Sequence, residues 1–225
     1  MSAPWDDLPT VETAAELEDF GTPEPKVRDK VLDRLGEVHR QWVAASPLVL
    51  VATASPDGRC DVSPKGDPAG AVTVLDDTTL VIAERAGNRR MDGFHNILAN
   101  PHVGLLFLIP GRGETMRVNG EARIVTDAPF FDDLVVRGHR PALGLMVRAE
   151  EVFFHCPKAF LRARAWQPET WRPDAMMPYA EIAKRLWRAG DPPQEVDAHY
   201  ASGAYERGLY PHTAGNPEER VDVSP

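Results

Sequence analysis

The chain is short of cysteine, of basic charge and of long apolar runs, and each shortage removes a class of function. Only Cys60 and Cys156 are present, with no CxxC pair, so a disulfide framework is excluded and a thiolate metal centre has too few ligands. His155 adjoins Cys156, but neighbours on a strand point to opposite faces. The remaining histidines, His39, His95, His102, His139, His199 and His212, show no HExxH-type spacing. With 25 Lys and Arg against 34 Asp and Glu, the net charge is −9. Nucleic acid and anionic membrane both require a cationic footprint and are excluded as partners. The longest apolar stretch, 103–110, is far too short to span a bilayer, and no basic flank with an apolar core opens the chain. A cytoplasmic protein is expected. Internal repeats, GxGxxG and GxxxxGK[ST] are all missing.

What is present centres on residues 79–107. The apolar run Leu80-Val81-Ile82-Ala83 is too short for a helix and reads as a strand. Glu84 and Arg85 follow, then a Gly-Asn break and the pair Arg89-Arg90. Met91, Phe94, Ile97 and Leu98 recur at helical spacing, Asn100-Pro101 stops that helix, and a second apolar run begins at Val103. The pattern is strand, loop, helix, strand. Asn88 can cap the helix through its side-chain oxygen, which would set Arg89 and Arg90 beside outward-pointing backbone N–H groups. Two cations at that end of a helix are unfavourable without an anion, and phosphate fits.

The rest of the chain supplies elements around this one. The first 25 residues carry seven acids, four prolines and no base, which describes an acidic arm. From Val27, spacing of Val31, Leu35, Val38 and Trp42 predicts a helix ended by Pro47. Residues 48–53 read as a central strand, Ser55-Pro56-Asp57-Gly58 as a turn, and 59–63 as the returning strand of a hairpin broken at Pro64. Short strands are expected at 71–75 and 103–109, with long ones at 114–125 and 143–156; a helix with Pro129 in its first turn lies between the last two. Lys158, Arg162, Arg164 and Trp166 form a second basic and aromatic cluster. Two amphipathic helices, 179–189 and 193–209, precede a polar tail.

TLVIAE, RAG, Asn88-Arg89-Arg90, MDGFHNILANP and HVGLLFLI occur in that order, followed by ETMRVNGEARIV. This succession resembles the flavin-binding split barrels of the pyridoxamine 5′-phosphate oxidase family, closely over 48–125. The resemblance implies an α+β fold with a six-stranded antiparallel split β-barrel, surrounding helices and a helical C-terminal extension. It divides the chain into an arm (1–26), an FMN-binding domain (27–173), the extension (174–210) and a loose tail (211–225). It implies FMN as cofactor, held by Ser63, Pro64, Lys65, Glu84, Arg85, Asn88, Arg89, Arg90 and Thr115. Which of Arg59 and Lys65 reaches the cofactor stays open. It further implies a homodimer with FMN at the subunit interface, where Arg164 and Trp166 approach the partner's Arg89-Arg90 pocket. The expected activity is an FMN-dependent oxidoreductase acting on a small molecule, with NAD(P)H a candidate electron donor. Two alternatives stand beside it: a flavin-binding sensor without turnover, and a haem-handling split barrel, which would require an axial histidine such as His155 or His102. True pyridoxamine phosphate oxidases finish with an arginine-containing segment that closes over substrate and flavin; this chain, ending in ERVDVSP, is expected to carry helices in its place, which argues against the vitamin B6 reaction.

Overall fold

The computed structural model describes residues 8–201 and 203–210, without the side chains of Tyr205 and Arg207. The predicted tail at 211–225 lies outside the described residues. Seven strands form one antiparallel sheet: β1 (Leu48–Ala54), β2 (Cys60–Gly66), β3 (Thr73–Val74), β4 (Thr79–Glu84), β5 (His102–Leu108), β6 (Thr115–Val125) and β7 (Leu143–His155), in the order β2-β1-β5-β6-β7-β4-β3. The count of six implied by the resemblance is corrected to seven, because the short strand expected at 71–75 forms as β3, whose two residues pair with Val81 and Leu80 and extend the sheet at its β4 edge. β2 also runs on through Pro64, where a break was expected. Proline is tolerated there because β2 is an edge strand with one unpaired side.

Alternation along the strands decides what is buried. Val49 and Val51 of β1, Leu105 and Phe107 of β5, Met116 and Val118 of β6, and Val147 and Val152 of β7 turn to one face and form the core. β4 is buried on both faces, as its unbroken apolar run requires: Leu80 and Ile82 join the main core, while Val81 and Ala83 pack under Phe131 and Leu134. The last two come from a 3₁₀ turn, Pro129–Leu134, in place of the predicted α-helix.

The predicted helix from Val27 is broken. It becomes α2 (Pro25–Arg28) and α3 (Glu37–Ala45), following a short exposed α1 (Ala14–Glu18) in the acidic arm. Between them Leu32 exchanges backbone hydrogen bonds with Val152 (3.0 and 2.7 Å), so the chain bridges to β7 where the helix was expected to continue. α4 (Asp92–Ala99) seats Phe94 and Ile97 in the core and is pinned to β1 by Asn96, which donates to Thr53 Oγ1 at 3.0 Å, and Asn100, which donates to the Ala54 carbonyl at 2.9 Å. After β7 come α5 (Lys158–Ala163), α6 (Tyr179–Leu186), α7 (Pro193–His199) and a final turn, α8 (Ala204–Arg207). The second predicted extension helix is therefore split. Lys184 of α6 ties the pair together through Asp197 (2.7 Å) and Glu181 (2.9 Å), above the fully buried Ala183 and Val196. None of the helices among the described residues is long and apolar enough to cross a membrane.

β6 and β7 shift register between Asn119 and Gly120, which face Glu151 and Ala149, so Glu150 is left over as a bulge. Gly120 meets the bulge at a distance no side chain can share: a Cβ there would lie 1.9 Å from the Arg148 carbonyl oxygen. Gly120→Ala is expected to lower unfolding free energy by about 3 kcal/mol, at the upper end for an overpacked interior. Gly190→Ala, with nothing within 4 Å of its Cβ, should stay within about 0.5 kcal/mol. Urea denaturation midpoints of the two variants check the contrast.

Candidate functional site

The stretch joining β4 to α4 is a preformed loop. Asn88 Oδ1 accepts from the Arg90 backbone N–H at 3.1 Å, closing a turn over two residues. Arg89 (φ 59°) and Met91 (φ 58°) both sit in the left-handed region. For residues with side chains this costs on the order of 1–2 kcal/mol each, and such strain gathers at functional sites. The expected cap is thereby corrected. Asn88 spends its oxygen on the turn, Met91 is the N-cap, and Arg89 and Arg90 stand in the loop before the helix. Arg90 Nε pairs with Asp92 Oδ2 of the first turn at 2.6 Å. Among the described residues Arg89 makes no ion pair, and its side chain is exposed.

This loop borders a cavity of about 640 Å³, within the size range of small-molecule sites. Its apolar side comes from the end of the core, with Val49 and Val51 of β1, Ile82 of β4, and Phe94 and Ile97 of α4. β2 adds Ser63, Pro64 and Lys65; the end of β4 and the loop add Glu84, Arg85, Asn88, Arg89 and Arg90. All eight were expected together, and the structure brings them together. Of the two cations left open, Lys65 lines the cavity, whereas Arg59 points away, paired with Asp57 and 88% exposed.

The cations of the cavity differ in what they are free to do. Lys65 Nζ lies 2.5 Å from Glu84 Oε2 and 5.4 Å from the centre of the Phe94 ring. Arg85 is fully engaged. Its Nε meets Asp67 Oδ2 at 2.7 Å, Nη2 donates to the Leu134 carbonyl at 2.7 Å and Nη1 to that of His139 at 3.3 Å. Arg85 therefore braces the wall, and Arg89 is the cation with its charge uncommitted. The result is a mainly apolar cavity bordered by a positive loop. That arrangement fits a flat, largely apolar ring system with an anionic tail.

Three expected residues are not at this cavity within one chain. Thr115 is buried on β6 opposite His155. Arg164, at the end of α5, bonds Gln167, and Trp166 stacks on Phe160 while donating to the Arg112 carbonyl at 2.7 Å. Conversely Asp61, Asp67, His139, Leu209 and Tyr210 line the cavity and were not anticipated. Tyr210 donates to Asp67 Oδ1 at 2.6 Å. Burial first, and then the Asp67 carboxylate, raise its phenol pKa. No local pattern could have announced a contact across 143 positions.

Comparison with known proteins gives a family match and several structural likenesses. Curated proteins yield no match. Among solved structures, a candidate pyridoxamine 5′-phosphate oxidase from Lactobacillus delbrueckii is 26% identical, with 54% of this chain and 95% of that one covered and a TM-score of 0.43. HupZ of Group A Streptococcus is 22% identical over 53% of this chain and 92% of its own (TM-score 0.42). An FMN-binding protein of Syntrophomonas wolfei is 11% identical over 52% and 83% (TM-score 0.42). The family model for pyridoxamine 5′-phosphate oxidase matches residues 35–156, more than half of the sequence and the whole stretch from the start of the core to the end of β7. On that match, the chain belongs to the pyridoxamine 5′-phosphate oxidase family.

Proposed function

We propose that this protein is an FMN-dependent oxidoreductase of the split-barrel type acting on a small molecule. The observation that carries the reading is the strained, preformed loop that sets Arg89 and Arg90 in the lining of a cavity shared with Val49, Val51, Ile82, Phe94 and Ile97. Arg89 and Arg90 would hold the phosphate, as charge-assisted donors to an anion. Val49, Val51, Ile82 and Phe94 would exclude water from the ring. Ser63 and Lys65 supply polar groups along β2, with Lys65 held in place by Glu84. When bound, FMN would supply the hydride or electron transfer, so no side-chain nucleophile is required.

Each arginine–phosphate bond contributes on the order of 1.5–3 kcal/mol. Arg89→Ala/Arg90→Ala should therefore weaken FMN binding by roughly two orders of magnitude or more. Fluorescence titration of the purified protein checks this, and an unchanged affinity would remove the assignment. Riboflavin, which lacks the phosphate, should bind the native protein about as weakly as FMN binds the double variant. FAD should gain little from its adenylate.

The functional unit in this reading is a homodimer. Core-facing residues alternate with an outer row in which Leu50 stands between Pro64 and Leu106, and Ala52 between Val62 and Gly104. Val62 is 61% exposed, so β2, β1 and β5 present an uncovered apolar face suited to a second copy. Pairing would also bring Arg164 and Trp166 of one chain to the other's cavity. Two variants, Arg89→Glu/Arg90→Glu and Arg164→Ala/Trp166→Ala, should each bind FMN poorly alone. A purified mixed dimer should regain one intact site of two; a mixed dimer that binds none, or a native protein that sediments as a monomer, contradicts shared sites.

A further inference from the structure

The cavity has one wall that belongs neither to the sheet, nor to α4, nor to the arginine loop. Leu209 and Tyr210, at the end of the extension, line it beside Asp67, Arg85 and His139. Tyr210 is bound there on several sides. Its hydroxyl donates to Asp67 Oδ1, and the other oxygen of that carboxylate takes Arg85 Nε. The guanidinium carbons of Arg85 and Arg137 lie 5.8 and 5.3 Å from its ring centre, and the His139 ring 6.3 Å away. Asp67 and Arg85 are only 12% and 11% exposed, so this bond is made to a desolvated ion pair and not to a surface carboxylate. His139 beneath is 9% exposed, and its Nδ1 is buried with no hydrogen-bond partner. A buried polar atom without a partner is costly unless something else meets it, and here it belongs to a residue of the cavity wall.

We propose that the C-terminal extension is a working wall of the binding cavity, with Tyr210 the positioning residue that latches it to the Asp67–Arg85 pair and seals His139 from solvent. Tyr210 touches no reacting atom in this role. It fixes Arg85 and holds Leu209 across one end of the slot, which limits both the escape of a bound flavin and the size of what can enter beside it. The ligand taken at that end is a small organic molecule that fits the space left beside Leu209 and Tyr210. The second half of this inference rests on the flavin reading above; the latch itself does not.

The experiment therefore has two arms, run on the full chain, on Tyr210→Phe and on Tyr210→Ala. Without ligand, carbethoxylation of histidines by diethylpyrocarbonate is followed by peptide mass spectrometry, with the exposed His95 and His102 as internal references. His139 should react slowly in the native protein and about tenfold faster in Tyr210→Ala, the loss expected when a charge-assisted hydrogen bond is removed. Tyr210→Phe, which keeps the ring and loses the hydroxyl, should fall between. Equal His139 rates in all three, or an acceleration shared by His95 and His102, overturn the latch. In the second arm, release of FMN into a flavin-free trap should quicken about tenfold in Tyr210→Ala, with the melting temperature held within a few degrees. Unchanged release alongside an exposed His139 overturns the wall while leaving the flavin site in place. Failure of the native protein to bind FMN overturns the flavin reading and the wall's role in it, and the first arm still decides the latch.

Discussion

The ion pair between Asp67 and Arg85 holds together segments that the sheet alone leaves apart. It joins the end of β2 to the end of β4, and through the Leu134 and His139 carbonyls it fixes the segment between β6 and β7. Burying a guanidinium and a carboxylate together costs several kcal/mol in desolvation, and their attraction alone need not offset it. The added donors and acceptors do: every polar edge of Arg85 that the fold covers is given a partner. Removing either partner would strand a buried charge, at about 3–5 kcal/mol, and the loop that begins at Arg85 would lose its anchor.

From that anchor the geometry of the site follows. Because Arg85 is tied down, the next residues can be held in a strained path, with Arg89 and Met91 left-handed and Asn88 closing the turn between them. Because α4 is pinned to β1 by Asn96 and Asn100, the loop has a fixed far end as well. Strain at Arg89 is thus sustained by contacts on both sides, and the backbone that carries it is set before any anion arrives. Preorganisation of this kind lowers the ordering cost of binding.

Much of this was legible in the sequence, and the parts that were not share a physical cause. β4 could be read because both its faces are buried, which leaves an unbroken apolar run; β1 and the turn at Ser55-Pro56-Asp57-Gly58 carried equally local signals. The eight residues from β2 and the arginine loop were legible as a set because they form two contiguous stretches in a family pattern. Misreadings arose where one side chain could serve two structures. The stripe from Val31 fits a helix, yet the backbone beside it at Leu32 bridges to β7; Asn88 can cap a helix or close a turn; Pro64 stops an inner strand but not an edge. Asp67, His139 and Tyr210 were invisible for a different reason, since their partners lie far away in the chain and nothing in their neighbours' identities encodes that proximity.

The central claim is that the cavity is a flavin site, and it is tested most directly by the visible absorption spectrum of freshly purified protein, before and after incubation with FMN and removal of the excess. The account predicts flavin bands that remain with the protein and no Soret band. A Soret band in their place, or a protein that leaves the column colourless after exposure to FMN, would contradict it.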